Sequence, residues 1–270
     1  MRSIPDSMDL AVVAAVDARL AGVEADHDVR VLWAIESGSR AWGFPSPDSD
    51  YDCRFLYVRP VDHYLGLRRL RDVIETPIDA VFDVGGWDLR KALALMVKGN
   101  ATAGEWLRSP IVYRGDPEAR DLLLDVADDV VDRFALTRHH LHVARNSLAL
   151  LASSGRLKKF FYALRPVVTL RWLRLHDGVA VPPMDLPALM REAAVPDDVR
   201  VASDDLVALK ARTRELGTAD VPPVLMAFVD AELAVAESSL PGLESSRTDR
   251  SRAREWDRAE EAFLELLAAG

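Results

Sequence analysis

At 270 residues, 49% of them hydrophobic, the chain is long enough to bury the core of one large domain or two modest ones. A net charge of -9 excludes indiscriminate nucleic-acid coating, though a local basic patch would survive it. A single cysteine, Cys53, excludes an intrachain disulfide, and no apolar stretch reaches the length of a membrane-spanning helix.

Residues 1–9 lack a basic-then-apolar leader, so a cytoplasmic location is expected. Residues 10–23 carry apolar side chains at helical spacing and predict a packing helix capped by Asp6 or Ser7. Residues 29–35 form a Val-, Leu- and Trp-bearing run typical of a strand. A Gly38-Ser39 turn follows, then a Pro- and Ser-rich loop through Pro47. Asp50-Tyr51-Asp52 leads into a second apolar run, 53–58, in which Cys53 reads as a small buried hydrophobe.

Residues two apart on a strand share a face, so Asp50 and Asp52 project two carboxylates side by side. Such a pair repels itself unless a cation lies between. Mg²⁺ typically takes one or two carboxylates together with water and phosphate oxygens. Gly38-Ser39 offers backbone N–H groups and a hydroxyl to an anion. Ser-Pro-Asp-Ser-Asp is also an ordinary turn composition. The combination with a Gly-Ser turn nevertheless fits nucleotidyl transfer assisted by two metal ions.

Gly38-Ser39, a spacer and Asp50-x-Asp52 resemble the signature of the DNA polymerase β-type nucleotidyltransferase superfamily. The whole run from Gly38 to Asp52 is similar, more narrowly, to nucleotidyltransferases of the YcgL/RlaP type, which are associated with RNA repair. Residues 86–93, 105–113 and 158–166 match the same group, so the resemblance covers most of residues 30–185. It implies an α/β (α+β) nucleotidyltransferase domain with a short mixed sheet, followed by an α-helical domain. It implies two Mg²⁺ ions, with Mn²⁺ as an alternative, held by Asp50 and Asp52, and a triphosphate gripped by Gly38, Ser39 and Arg40. A third carboxylate is expected on a neighbouring strand. Residues 78–84 alternate in strand fashion and place Asp79 and Asp83 on one face. Asp83 is the choice, because it precedes the Gly85-Gly86 break; Asp79 is the alternative.

Arg68, Arg69 and Arg71 read as a solvated segment, or else as a contact to substrate phosphates. Residues 87–97 and 100–107 predict helices, 111–113 an extended segment and 115–117 a turn. The domain boundary is placed there, with a catalytic domain at 1–117 and a helical substrate-binding domain at 118–270. Helices are expected over 118–134, 139–153, 185–193, 204–215, 223–237 and 260–267, with residues 245–259 charged and exposed. His139-His140-x-His142 lacks further ligands at matching spacing and makes a weak metal site.

From Arg138 to His176 there are eight Lys or Arg residues and no Asp or Glu. Lys158, Tyr162, Arg165, Thr169 and Trp172 share a helical face that Pro166 is expected to kink or restart. Lys158, Lys159, Tyr162 and Arg165 are therefore candidates to hold a triphosphate and stack a base. The alternative is an exposed basic face paired with acidic segments elsewhere. Three functions follow: an RNA-end nucleotidyltransferase using an NTP, ATP first; a protein-nucleotidylating regulator or antitoxin; or a non-catalytic nucleotide-binding module. The acceptor is RNA or a partner protein, and no membrane is involved.

Overall fold

A computed structural model describes residues 1–77, 81–130, 132–212, 220–246 and 249–269, the side chains of 249–252 excepted. Helix α1 (Leu10–His27) is capped by Asp9, whose carboxylate accepts from the N–H of Ala11; neither Asp6 nor Ser7 takes that role. Five strands follow with short helices between them: β1 (Arg30–Glu36), α2 (Gly38–Ala41), β2 (Tyr51–Val58), α3 (Val61–Leu65), β3 (Val73–Glu75), β4 (Phe82–Asp88), α4 (Leu89–Val97), α5 (Thr102–Leu107) and β5 (Val112–Gly115). They form one mixed sheet in the order β3-β4-β2-β1-β5, with β2 and β4 parallel and the other pairs antiparallel.

Gly85-Gly86 is no break. β4 runs through it to Asp88, because Gly86 pairs with Phe55 and a Cβ there would fall 2.2 Å from the Phe55 ring. Glycine here admits an aromatic ring rather than ending the strand. Helix α4 consequently starts at Leu89, not Trp87, with the Asp88 side chain accepting from the N–H of Arg90.

Strand alternation sends Phe55 and Tyr57 to one face of the sheet, where Val13, Val16 and Leu20 of α1 cover them. Leu56 and Val58 point to the other face. There they meet α4, α5, α6 (Pro117–Val130) and α12 (Asp249–Ala268), through Leu93, Met96, Leu123, Val126, Ala262 and Leu266. The segment 245–259, expected to be exposed, contributes most of α12, with Arg254 and Asp257 outward and Ala259 buried.

A second core unites α7 (Arg133–Ser154), α8 (Lys158–Leu175), α9 (Leu186–Glu192), α10 (Asp197–Arg212) and α11 (Pro223–Ser245) around Phe160, Phe161, Leu164, Val168, Leu225 and Val229. α8 continues through the buried Pro166 as a single element. Burial of its apolar face offsets the hydrogen bond that proline cannot donate. α10 begins at Asp197 rather than Asp204, and residues 213–215, expected to close it, lie outside the described residues. Phe44, from the loop after α2, stacks on Phe161 at 5.0 Å and ties the sheet layer to this second core.

Candidate functional site

The site forms where β1 ends and β2 and β4 begin. Gly38 opens α2 at φ +60°, and a Cβ there would lie 1.9 Å from Oδ2 of Asp52. Only glycine allows both that backbone and that approach. The loop after α2 folds back on itself through hydroxyls: Ser39 Oγ donates to Ser49 Oγ at 2.9 Å, and Ser49 Oγ accepts from the Ser46 N–H at 2.9 Å. Arg40 braces the loop by donating to the Ser49 carbonyl (2.6 Å) and the Asp50 carbonyl (3.2 Å), with its guanidinium 3.8 Å above the Tyr51 ring.

A polar cavity of about 300 Å³ lies between this loop and α8. Gly38, Ser39, Asp50 and Asp52 line one side, and Lys158 and Tyr162 the other. Trp42, Asp48 and Arg54 complete the wall, and Trp42 meets Tyr162 edge-on at 5.6 Å. The other expected residues stand off. Lys159 places its ammonium 5.5 Å from the centre of the Tyr162 ring and does not line the cavity. Arg165 is buried, donating to the Met184 carbonyl (3.0 Å) and pairing with Glu105 (3.1 Å). Arg40 lies behind the loop, and Asp79 lies outside the described residues.

Much of the basic run is neutralised by distant acids: Arg145 by Glu237, and Arg171 and Arg174 by Glu232. Lys158 has no ion-pair partner among the described residues, which leaves its charge to the cavity.

Two charged groups at the site escaped the sequence reading. Asp52 and Asp83 sit opposite one another in the parallel β2–β4 register, and Arg54 lies between them. Its guanidinium is 2.6 Å from Asp83 Oδ2 and 3.6 Å from Asp52 Oδ1. Burial raises the Asp52 carboxyl above its ordinary range; Arg54 opposes this, and the charges of Asp83 and Asp50 add to it. Beneath Asp52 lies the buried Glu36, which accepts from the Asp52 N–H (3.0 Å) and the Tyr113 hydroxyl (2.6 Å). Burial pushes Glu36 up to about 7, against the pull of both hydrogen bonds. The available signal was a charged residue within or closing an apolar run.

Asp50 and Asp52 suit a hard divalent cation, being two carboxylates on one polar cavity beside hydroxyls. Among the described residues, no group of three His, Cys, Asp or Glu side chains is gathered to hold a metal; the Arg54 guanidinium sits between Asp52 and Asp83.

Residues 12–263 match the model of a family described as the RNA repair pathway DNA polymerase beta family. The chain is also similar to an uncharacterized protein, YcgL, of Bacillus subtilis (strain 168). The two are 35% identical over 229 residues, which is 84% of this chain and 87% of that protein. A match of this extent, on a chain whose Gly-Ser turn and paired aspartates meet at one end of a five-stranded mixed sheet, places the protein in the RNA repair pathway DNA polymerase beta family.

Proposed function

We propose that the protein is a Mg²⁺-dependent nucleotidyltransferase that moves a nucleoside monophosphate from an NTP, ATP first, to a hydroxyl at an RNA end. The observation that carries this reading is the meeting of Gly38, Ser39, Asp50 and Asp52 with Lys158 and Tyr162 around one cavity. The RNA repair association of the family supports RNA as the acceptor.

The Gly38 and Ser39 backbone and the Ser39 hydroxyl hold triphosphate oxygens, and Lys158 offsets their charge from the opposite wall. Trp42 and Tyr162 give the base an aromatic wall. Mg²⁺ bound at Asp50 and Asp52 would neutralise developing charge on the phosphates. Asp83, released by Arg54, accepts the proton of the attacking hydroxyl. The hydroxyl oxygen bonds to the α-phosphorus, the bond to the bridging oxygen breaks, and pyrophosphate leaves.

The test is incubation of the full chain with Mg²⁺, each α-labelled NTP, and total RNA or cell lysate, beside Asp50→Ala/Asp52→Ala. Label entering RNA only with the intact protein supports the reading and names the base. Label entering a protein would replace RNA by a partner protein as acceptor, and equal lanes for both proteins would overturn the enzyme reading.

A further inference from the structure

Besides Lys158 and Lys159, helices α7 and α8 leave a further cation without a carboxylate among the described residues. Arg138, on the first turns of α7, has no ion-pair partner among the described residues, and neither has Lys98 at the end of α4. Both are exposed, and both line a second, shallow cavity of about 520 Å³ together with His139, His142, Leu95 and Asn100. Leu95 lends it an apolar wall, and the rest present two fixed cations and two imidazoles. Its shape is set by close packing: Gly99 turns at φ +78°, and a Cβ there would fall 2.4 Å from that of Ala135. Asn100 is oriented by accepting from the Thr102 N–H at 2.9 Å. Glu105 is the acid whose charge faces His139, and it is already held by Arg165.

That ion pair also locates the cavity. The Arg165 guanidinium lies 5.2 Å from the centre of the Trp42 ring, and Trp42 lines the first cavity. Lys158 and Arg165 are about two helical turns apart on α8, roughly 10 Å along its axis. The Arg165–Glu105 pair thus links the two cavities, Arg165 lying beside Trp42 of the first and Glu105 acting on His139 of the second. Cations and an apolar wall in a concavity of this size suit a nucleotide unit, with phosphate on the cations and the base on the imidazoles and leucine.

We propose that this second cavity is a subsite for one nucleotide of the acceptor RNA strand, with its phosphate on Lys98 and Arg138 and its base beside His139, His142 and Leu95. The proposal rests on the reading of RNA as acceptor. It accounts for two unpaired cations in a chain of net charge -9, on a face where neighbouring basic residues are paired off.

The test is binding of a fluorescent single-stranded RNA to the full chain at several salt concentrations, comparing wild type with Lys98→Ala/Arg138→Ala. Because both side chains are exposed, the variant should keep its fold, checked by circular dichroism. The expected result is RNA binding weakened about tenfold or more and a log K against log salt slope shallower by about 0.7, the figure for one phosphate no longer neutralised. Binding of labelled ATP should be unchanged. Asp50→Asn/Asp52→Asn should retain RNA binding, so loss of transfer activity is separable from loss of the subsite. Equal affinity and slope for the Lys98/Arg138 variant, or no RNA binding by wild type, overturns the proposal. So does AMP or inorganic phosphate moving the His139 and His142 ring resonances while RNA leaves them unmoved, which would give the cavity to a free nucleotide or anion.

Discussion

A methyl group added to Gly38 would stand 1.9 Å from the Asp52 carboxylate, so the turn and the acid are fitted to one another. Gly38→Ala must push that carboxylate aside and strain a left-handed backbone, at about 1–2 kcal/mol. We expect nucleotidyl transfer to fall by roughly 100-fold, as for a misplacement of about 1 Å. The melting temperature should drop by only a few degrees. Steady-state kinetics beside a thermal melt checks this, and near-normal activity would show that Asp52 need not occupy that position.

Glu36 supplies a pH dependence of stability. In the unfolded chain its carboxyl loses its proton near 4.5, whereas in the folded protein burial holds it to about 7. Between those values the unfolded state binds fewer protons, so stability falls as pH rises. Above about 7 the cost is constant, on the order of 3 kcal/mol. Glu36→Gln removes the ionisation while its amide oxygen can still accept from Asp52 N–H. Urea unfolding at pH 5 and pH 8 should therefore show the variant gaining on wild type at the higher pH. A gap that does not change with pH would refute this origin.

Arg54 occupies the place between Asp52 and Asp83. Without it the two carboxylates repel, and a divalent cation has more to relieve. Arg54→Ala should melt below wild type in EDTA and show a larger rise in melting temperature on adding Mg²⁺ or Mn²⁺. If Mg²⁺ raises both proteins equally, Arg54 is not holding a metal position.

Arg165 and Glu105 form a pair whose side chains are 7% and 15% exposed. Removing one partner strands a buried charge, so Glu105→Ala should lower stability by about 3–5 kcal/mol. The apolar double variant Glu105→Leu/Arg165→Met should recover most of it. Chemical denaturation of the three proteins checks both expectations.

The chemistry-bearing turn was legible because its spacing carries a mechanism: Gly38, Ser39, Asp50 and Asp52 do meet. The strand alternation of 53–58 likewise yields the two faces of β2. What escaped depended on register or on distant partners. Gly86 reads as a break until Phe55 is set opposite it. Arg54 and Glu36 sit in apolar runs, and their roles appear only once β4 and β5 lie alongside. The basic run looked like one binding face because Glu105, Glu232 and Glu237, which neutralise part of it, lie far off in the chain.

Helix α12 has a consequence for how the chain is made. Arg30 of β1 donates to the Leu266 carbonyl at 3.0 Å, and Ala262 and Leu266 share a core with Leu56 and Val58. β1 and β2 are synthesised long before α12, so the part of this face that α4, α5 and α6 leave open waits for that helix. The helices α7–α11, with a core of their own, can settle in the interval. Completion of this side of the sheet thus becomes a late, long-range step.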